Sequence, residues 1–222
     1  MPPLTTDPLM THKAFWDDPY ATQHRSRVVA VAGAEVVLES SIFFAFSGGQ
    51  ESDRGSIGGR LMAGAAAQRF ALHYTLAEDH GLAVGDTVEI VIDGARRLRL
   101  MRLHFAAELV LELFYRELQD VAKVGAHIAE DKARIDFVWP HSIAPMLPAI
   151  ADRGNAIIAQ DLPIHTGFDD RASERRYWAI EGFSKVPCGG THVRSTGEIG
   201  PIRLKRNNIG KGKERVEIYL AS

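Results

Sequence analysis

The run Leu98-Arg-Leu-Met-Arg-Leu-His-Phe-Ala-Ala-Glu-Leu-Val-Leu-Glu-Leu-Phe-Tyr-Arg-Glu-Leu118 divides the sequence in two. From residue 98 to about residue 123 no Gly or Pro interrupts it. Leu103, Ala107, Val110, Leu111, Phe114, Leu118 and Val121 recur at spacings of three and four, which predicts a long amphipathic helix with one buried stripe. Upstream the pattern has period two. Residues 27–31 and 35–39 are β-branched runs around a turn at Gly33, a hairpin signal. Residues 40–46, 70–76 and 88–92 are further strand candidates, and this density of short strands predicts a small β-barrel. Downstream, 133–139, 181–186, 199–205 and 215–220 read as strands, the last two joined through a turn at 207–213. Residues 142–152 and 169–176 read as short helices. The expected fold class is α+β, with an N-terminal extension and β-barrel domain in 1–95. An α+β domain with an antiparallel sheet and the long helix follows in 96–222. Phe15, Trp16 and Tyr20 predict that the first twenty residues form an ordered extension.

The chain has 222 residues with 26 Lys+Arg, 28 Asp+Glu and a net charge of −2, which excludes a wholesale polybasic nucleic-acid binder. The average conceals an asymmetry. Residues 1–98 carry 8 Lys+Arg against 12 Asp+Glu, whereas 203–215 alone carry six basic residues and one acid. The single cysteine, Cys188, excludes a disulfide framework. No apolar run reaches the ~20 residues of a membrane span. The start lacks the basic-then-apolar order of a secretory signal. A cytoplasmic protein with no membrane partner is expected.

Two short patterns carry metal chemistry. His104 and Glu108 are one helical turn apart at the margin of the buried stripe, while Glu112 points elsewhere and reads as solvated. Cys188-Gly-Gly-Thr-His192 is a tight turn that can aim a thiolate and an imidazole at one point. Each has an ordinary alternative: such a helix pair is common, and a lone cysteine is often a small buried hydrophobe. Together they offer His, Glu, Cys and His, a mixed donor set suited to zinc. Ser47-Gly48-Gly49-Gln50 opens a turn that is either architecture or a site for substrate contact. The basic run Arg203, Lys205, Arg206, Lys211, Lys213 and Arg215 is either a solvated hairpin face or a surface for nucleic-acid phosphates. Arg102 and Arg194 adjoin the two metal patterns.

Four stretches taken together resemble the stand-alone alanyl-tRNA editing proteins (AlaX), and so the editing domain of alanyl-tRNA synthetase and the related domain of threonyl-tRNA synthetase. They are Ser47-Gly-Gly-Gln-Glu-Ser-Asp-Arg-Gly, Met101-Arg-Leu-His104, Asp131-Lys-Ala-Arg-Ile-Asp-Phe and Cys188-Gly-Gly-Thr-His192. Their order and spacing match from residue 27 onward. The resemblance implies a trans-acting hydrolase that removes serine or glycine from mischarged tRNA for alanine. It implies zinc held by His104, Cys188, His192 and the residue at 108. It places Ser47, Gly48, Gly49, Gln50, Phe105 and Thr191 near the amino acid. Arg102, Arg194 and the basic run would face tRNA. No segment is long enough to hold an ATP-dependent aminoacylation domain.

Two departures fall inside the implied site. Glu108 stands where the family has histidine, and Phe105 where it usually has threonine. Glu108 either ligates through oxygen, or stands off and orients a water, or marks a site that has lost its metal. Two rival readings follow: a tRNA-binding relative without hydrolysis, and a zinc hydrolase of a small acyl substrate other than tRNA.

Overall fold

The structure, a computed structural model, describes residues 9–210 and 212–221. The first eight residues of the expected extension, and Lys211 of the basic run, lie outside the described residues. The fold is mixed, mostly antiparallel strand with two α-helices. The chain forms two compact units, Met1–Phe46 with Ser52–Arg97, and Ser47–Glu51 with Leu98–Ser222.

The first unit is built on seven strands. They are β1 (Gln23–Ala32), β2 (Glu35–Leu38), β3 (Gly55–Ile57), β4 (Arg60–Leu61), β5 (Gly64–Gln68), β6 (Ala71–Thr75) and β7 (Thr87–Ile92), in the spatial order β4-β3-β7-β1-β2-β6-β5. β1 is long enough to serve two neighbours. Residues 23–27 pair with β7, and 28–32 pair with β2. Gly33 makes the expected hairpin turn at φ +58. Inward residues Val28, Val36, Leu38, Ile57, Tyr74, Val88 and Ile90 form one core with Ile42, Phe43 and Phe44. Phe15 is buried and meets Phe44 edge-on at 5.3 Å, so the described part of the extension is ordered as expected.

A buried ion pair closes this unit. Arg97 and Asp53 are 1% and 4% exposed. Arg97 Nε donates to Asp53 Oδ1 at 2.8 Å and its Nη2 to Asp53 Oδ2. Nη1 donates to the Pro19 carbonyl at 3.0 Å and Nη2 also to the Ile42 carbonyl at 2.6 Å. Asp53 Oδ2 also accepts the Phe44 N–H at 2.7 Å. Burial makes such a pair costly unless its polar atoms are hydrogen-bonded, and here each nitrogen of Arg97 and each carboxylate oxygen of Asp53 has a partner.

The second unit holds most of α1 (Gly94–Glu117), whose start is capped by Asp93 Oδ1 on the Arg96 N–H. Then follow β8 (Ala122–Ile128), β9 (Ala133–Val138), α2 (Leu147–Ala159), β10 (His165–Asp170), β11 (Arg175–Ile180), β12 (Ser184–Pro187), β13 (Ile202–Asn208) and β14 (Lys213–Leu220). They make two antiparallel sheets, β8-β9-β14-β13 and β10-β11-β12. Between Leu100 and Phe114 every side chain of α1 is buried except Arg102, Glu108 and Glu112, which are half-buried. The expected single stripe is therefore too narrow: α1 is a central helix covered nearly all round. Its Phe114 packs on Phe137 of β9 at 5.0 Å. Among the described residues, no helix is long and apolar enough to cross a membrane.

Several elements differ from expectation. α1 ends at Glu117, because the chain turns through Asp120 at φ +59 and enters β8 at Ala122. Residues 40–46 contribute only the short strand Ser40–Ser41. Residues 169–176 are not a helix. They are the end of β10, a turn at 171–174 and the start of β11, with Asp170 accepting from the Ala172 N–H and the Ser173 hydroxyl and Glu174 at φ +54. The Asp-Arg-Ala-Ser-Glu-Arg composition suits a helix, but local Asp and Ser side-chain bonds favour the turn. Glu112 is not simply solvated, since its carboxylate accepts the Ser184 hydroxyl at 2.7 Å.

The pair in the first unit predicts a large effect. Asp53→Ala would leave the Arg97 charge buried and should destabilise the protein by about 3–5 kcal/mol, measured as a lowered urea midpoint. A second prediction concerns acid. In the larger sheet, burial pushes the Asp136 carboxyl up, but the guanidiniums of Arg215 and Arg134 outweigh it and hold it below 3.8. Glu214 is held below 4.5 by Arg206, and Glu217 by Lys132. A depressed folded pKa gives stability that is complete above the unfolded value and is lost as pH falls through the folded one. Stability should therefore decline as pH drops below about 4.5, and Asp136→Asn should flatten the dependence of the urea midpoint on pH in that range.

Candidate metal centre

The second unit brings three ligating side chains to one point. His104 comes from α1, and Cys188 and His192 from the segment after β12. Their ligand atoms all lie within 4.8 Å of one another. His104 Nε2 is 3.6 Å and His192 Nε2 is 3.3 Å from Cys188 Sγ. Glu108 joins from the next turn of α1, its Oε1 3.5 Å from His104 Nε2 and 3.9 Å from Cys188 Sγ.

The local chain explains the convergence. The Cys188 N–H continues the β11–β12 ladder by donating to the Arg176 carbonyl at 2.9 Å, and Arg176 Nη1 donates to the Gly190 carbonyl at 3.2 Å. Gly190 is required by close approach, since a Cβ there would lie 2.0 Å from His104 Cε1 and 2.9 Å from Gln50 Oε1. Gly48 and Gly49 take φ +61 and +93, and a Cβ on Gly49 would meet the Ala126 carbonyl oxygen at 2.5 Å.

Gln50 is fully buried, and its amide joins three segments. Its Oε1 lies 2.8 Å from His104 Nδ1 and 3.2 Å from the Thr191 N–H, and its Nε2 donates to Thr191 Oγ1 at 2.8 Å. Two N–H groups converge on one amide atom, so that atom is the oxygen and His104 Nδ1 carries a hydrogen. With Nδ1 committed to Gln50, Nε2 is the ring nitrogen that faces Cys188 and Glu108 and the one that would give up its proton to a cation. Thr191 is buried beside it, while Ser47 and Gly48 are exposed. Phe105 is fully buried, meeting Trp178 at 5.0 Å and His192 at 5.6 Å, both edge-on, so its ring packs behind the cluster.

Burial pulls the His104 imidazole down in pKa, but the facing Cys188 sulfur and Glu108 carboxylate push it up to about 10. Glu108 is held below its usual range by His104 and the Trp178 N–H in spite of burial. His192 goes the other way, well below the usual imidazole value, through burial and the charges of His104 and Arg176. Its Nδ1 is buried and has no hydrogen-bond partner among the described residues. The donor set suits zinc; separations of 3.3, 3.5 and 3.6 Å match a filled shell, and the wider ones, 3.9 Å and up to 4.8 Å, would have to close around a cation. Bonds of about 2.0–2.1 Å to nitrogen or oxygen and 2.3 Å to sulfur place tetrahedral ligands roughly 3.3–3.6 Å apart, and anionic neighbours that hold a proton on His104 also favour a cation there.

The basic residues are distributed less simply. Arg206 pairs with Glu214 at 2.5 Å, and Arg215 with Asp136 at 2.6 Å. Arg203 is exposed and lies over the Tyr219 ring at 4.0 Å. Lys205 and Lys213 are exposed. Arg194 is exposed in the turn after His192. Arg102 donates to the Ile199 carbonyl at 2.8 Å and lines, with Arg99, Leu103, Glu130 and Asp131, a cavity of about 300 Å³ that none of the four clustered residues enters. Sequence reasoning missed the bracketing role of Gln50 and the Trp178–Glu108 bond. A polar residue directly after two glycines was the only signal for the first, and the second had none.

Residues 176–217, which contain Cys188 and His192, match the threonyl and alanyl tRNA synthetase second additional domain. The chain is 35% identical to the alanine–tRNA ligase of Methanopyrus kandleri and 31% identical to that of Korarchaeum cryptofilum, over 93% of its own length in each case. It spans only 26% of each ligase. Its similarity to the alanyl-tRNA editing protein AlaX-M of Pyrococcus horikoshii runs end to end, with 31% identity over 95% of this chain and 98% of that one. Shared sequence over nearly the whole of both proteins, with the clustered residues inside it, makes this chain a member of the alanyl-tRNA editing protein family.

Proposed function

We propose that this protein is a trans-acting aminoacyl-tRNA hydrolase that cleaves the ester of mischarged tRNA for alanine, releasing serine or glycine. The observation that carries the reading is the meeting of His104, Cys188 and His192 within 4.8 Å, in a chain that aligns end to end with an alanyl-tRNA editing protein. Zinc is the proposed cofactor, held by His104, Glu108, Cys188 and His192. A bound zinc supplies Lewis acidity for ester hydrolysis.

The protein's own residues do the arranging. Gln50 keeps a hydrogen on His104 Nδ1, so that Nε2 is the nitrogen left to meet a cation, and ties the glycine-rich turn to Thr191. Ser47 and Gly48, exposed at that turn, are the proposed contacts for the amino acid, and buried Phe105 shapes the wall indirectly through His192 and Trp178. We assign residues 96–222 as the editing domain. Residues 1–95, whose core is a single cluster around the shared strand β1, are assigned as the barrel domain that accompanies it.

For tRNA, the proposed contacts are Arg102, Arg194, Arg203, Lys205, Lys213 and Lys211. Arg206 and Arg215 are each bound to a carboxylate of the sheet, so their charge is already balanced. Counterion release then depends mainly on the exposed lysines and on Arg203.

Deacylation of Ser-tRNA for alanine tests the enzyme reading, with zinc content measured on the same samples. The wild type should hold about one zinc per chain and release serine, and Cys188→Ala should slow release by at least ~100-fold, beyond the usual cost of disturbing a ligand's support. Equal release by both would sink the hydrolase. Zinc without release from any aminoacyl-tRNA would favour a small acyl substrate, and no zinc would favour a relative without hydrolysis. A second measurement concerns tRNA affinity. Lys205→Ala and Lys213→Ala should each weaken binding and reduce the slope of log affinity against log salt by about 1, whereas Arg206→Ala should leave the slope unchanged.

A further inference from the structure

Glu108 is not left to orient itself. Its Oε2 accepts the Trp178 Nε1–H at 3.0 Å, while Oε1 faces His104 Nε2 at 3.5 Å and Cys188 Sγ at 3.9 Å. Trp178 is fully buried on β11 and lies edge-on to Phe105 at 5.0 Å. Phe105 is itself fully buried and meets His192. In a close-packed setting of this kind the indole cannot swing away without displacing a histidine of the cluster.

The chemistry of the indole sets a demand on position 108. An indole N–H donates and never accepts, so its partner must present an acceptor on the side away from the cluster. A carboxylate does so with its second oxygen. An imidazole that gave one nitrogen to a metal would carry a hydrogen on the other. At position 108 that hydrogen would oppose the Trp178 N–H in a buried place, and both donors would be left unsatisfied.

We propose that Trp178 is a positioning residue that selects a carboxylate at position 108 and presents it to the metal through Oε1 alone. This inference rests on the zinc reading of the cluster. It explains why a glutamate is tolerated among two imidazoles and a thiol: one oxygen is held by the protein, and the other is aimed.

The test is metal affinity and spectrum rather than turnover. The full chain, freed of metal by a chelator, is titrated with Co2+ in competition with a chelator of known affinity, and the visible absorption of bound Co2+ is recorded. Trp178→Phe keeps an aromatic ring and removes the donor. It should weaken Co2+ binding by about 10-fold or more and alter the absorption bands. Glu108→His, although it offers a common metal ligand, should bind more weakly than wild type. Adding Trp178→Phe to Glu108→His should restore at least about 10-fold, because the opposing donor is gone. General loosening of the core cannot produce that reversal of sign. Affinity within twofold of wild type and an unchanged spectrum in Trp178→Phe, with no restoration in the double variant, overturns the proposal and leaves the zinc reading standing. A wild-type chain that binds neither Co2+ nor Zn2+ overturns both. Should Trp178→Phe fail to fold, Glu108→His alone decides, and binding as tight as wild type overturns the proposal.

Discussion

The candidate site depends on one buried amide. Gln50 is fully buried, and both polar atoms of its side chain meet His104 or Thr191. A neutral amide is the side chain that can meet this demand, because it offers an acceptor with two lone pairs and a donor a short distance apart. The glycines follow from it. Gly190 has no side chain because His104 and Gln50 occupy that space, and Gly49 has none because the Ala126 carbonyl does. What looks in the sequence like a flexible Gly-Gly-Gln turn is a rigid bracket whose glycines permit close approach.

The parts of the site that were legible in the sequence are those whose signal is local. Cys188-Gly-Gly-Thr-His192 and the one-turn spacing of His104 and Glu108 fix which side chains can share a point, and the structure brings them together. The roles of Gln50 and Trp178 were not legible, since each depends on a partner 54 or 70 residues away in the chain. The same divide runs through the fold. Strong period-two runs such as 215–220 became strands, while 169–176, rich in residues that suit a helix, became two strand ends around a turn because Asp170 and Ser173 bond locally. The long helix was found, but its stripe was drawn too narrow. A helix that is covered nearly all round has little periodicity left to read.

Charge counting has a related weakness. The run 203–215 carries six basic residues, yet strand alternation distributes them to opposite faces of the sheet, and ion pairs then balance some of them. Arg206 turns to the face of Val216 and meets Glu214, whereas Arg215 turns to the other and meets Asp136. Two of the six are therefore part of the sheet's own cohesion. The surface available to a polyanion is set by register as much as by composition.

The donor set carries a further consequence. A thiolate and a carboxylate around a dication leave a formally neutral centre, where a thiolate with three imidazoles would leave one positive charge. Of the two histidines, one responds to the anionic donors and the other to burial and cationic neighbours. His104, between Cys188 and Glu108, is pushed up, and His192, buried near His104 and Arg176, is pushed down. In the proposed zinc site, a glutamate at position 108 thus differs from a histidine by more than one ligand atom. It moves negative charge onto one side of the cluster, and it needs a neutral donor behind the carboxylate that orients it without cancelling its charge. Trp178 is such a donor: an N–H with no formal charge, held by aromatic packing. An arginine or lysine in its place would restore the lost positive unit but neutralise the ligand. In the proposed zinc site, the pairing of an acid in the cluster with an indole behind it would keep the attraction for a cation intact, and on that physical ground the two residues act as one unit.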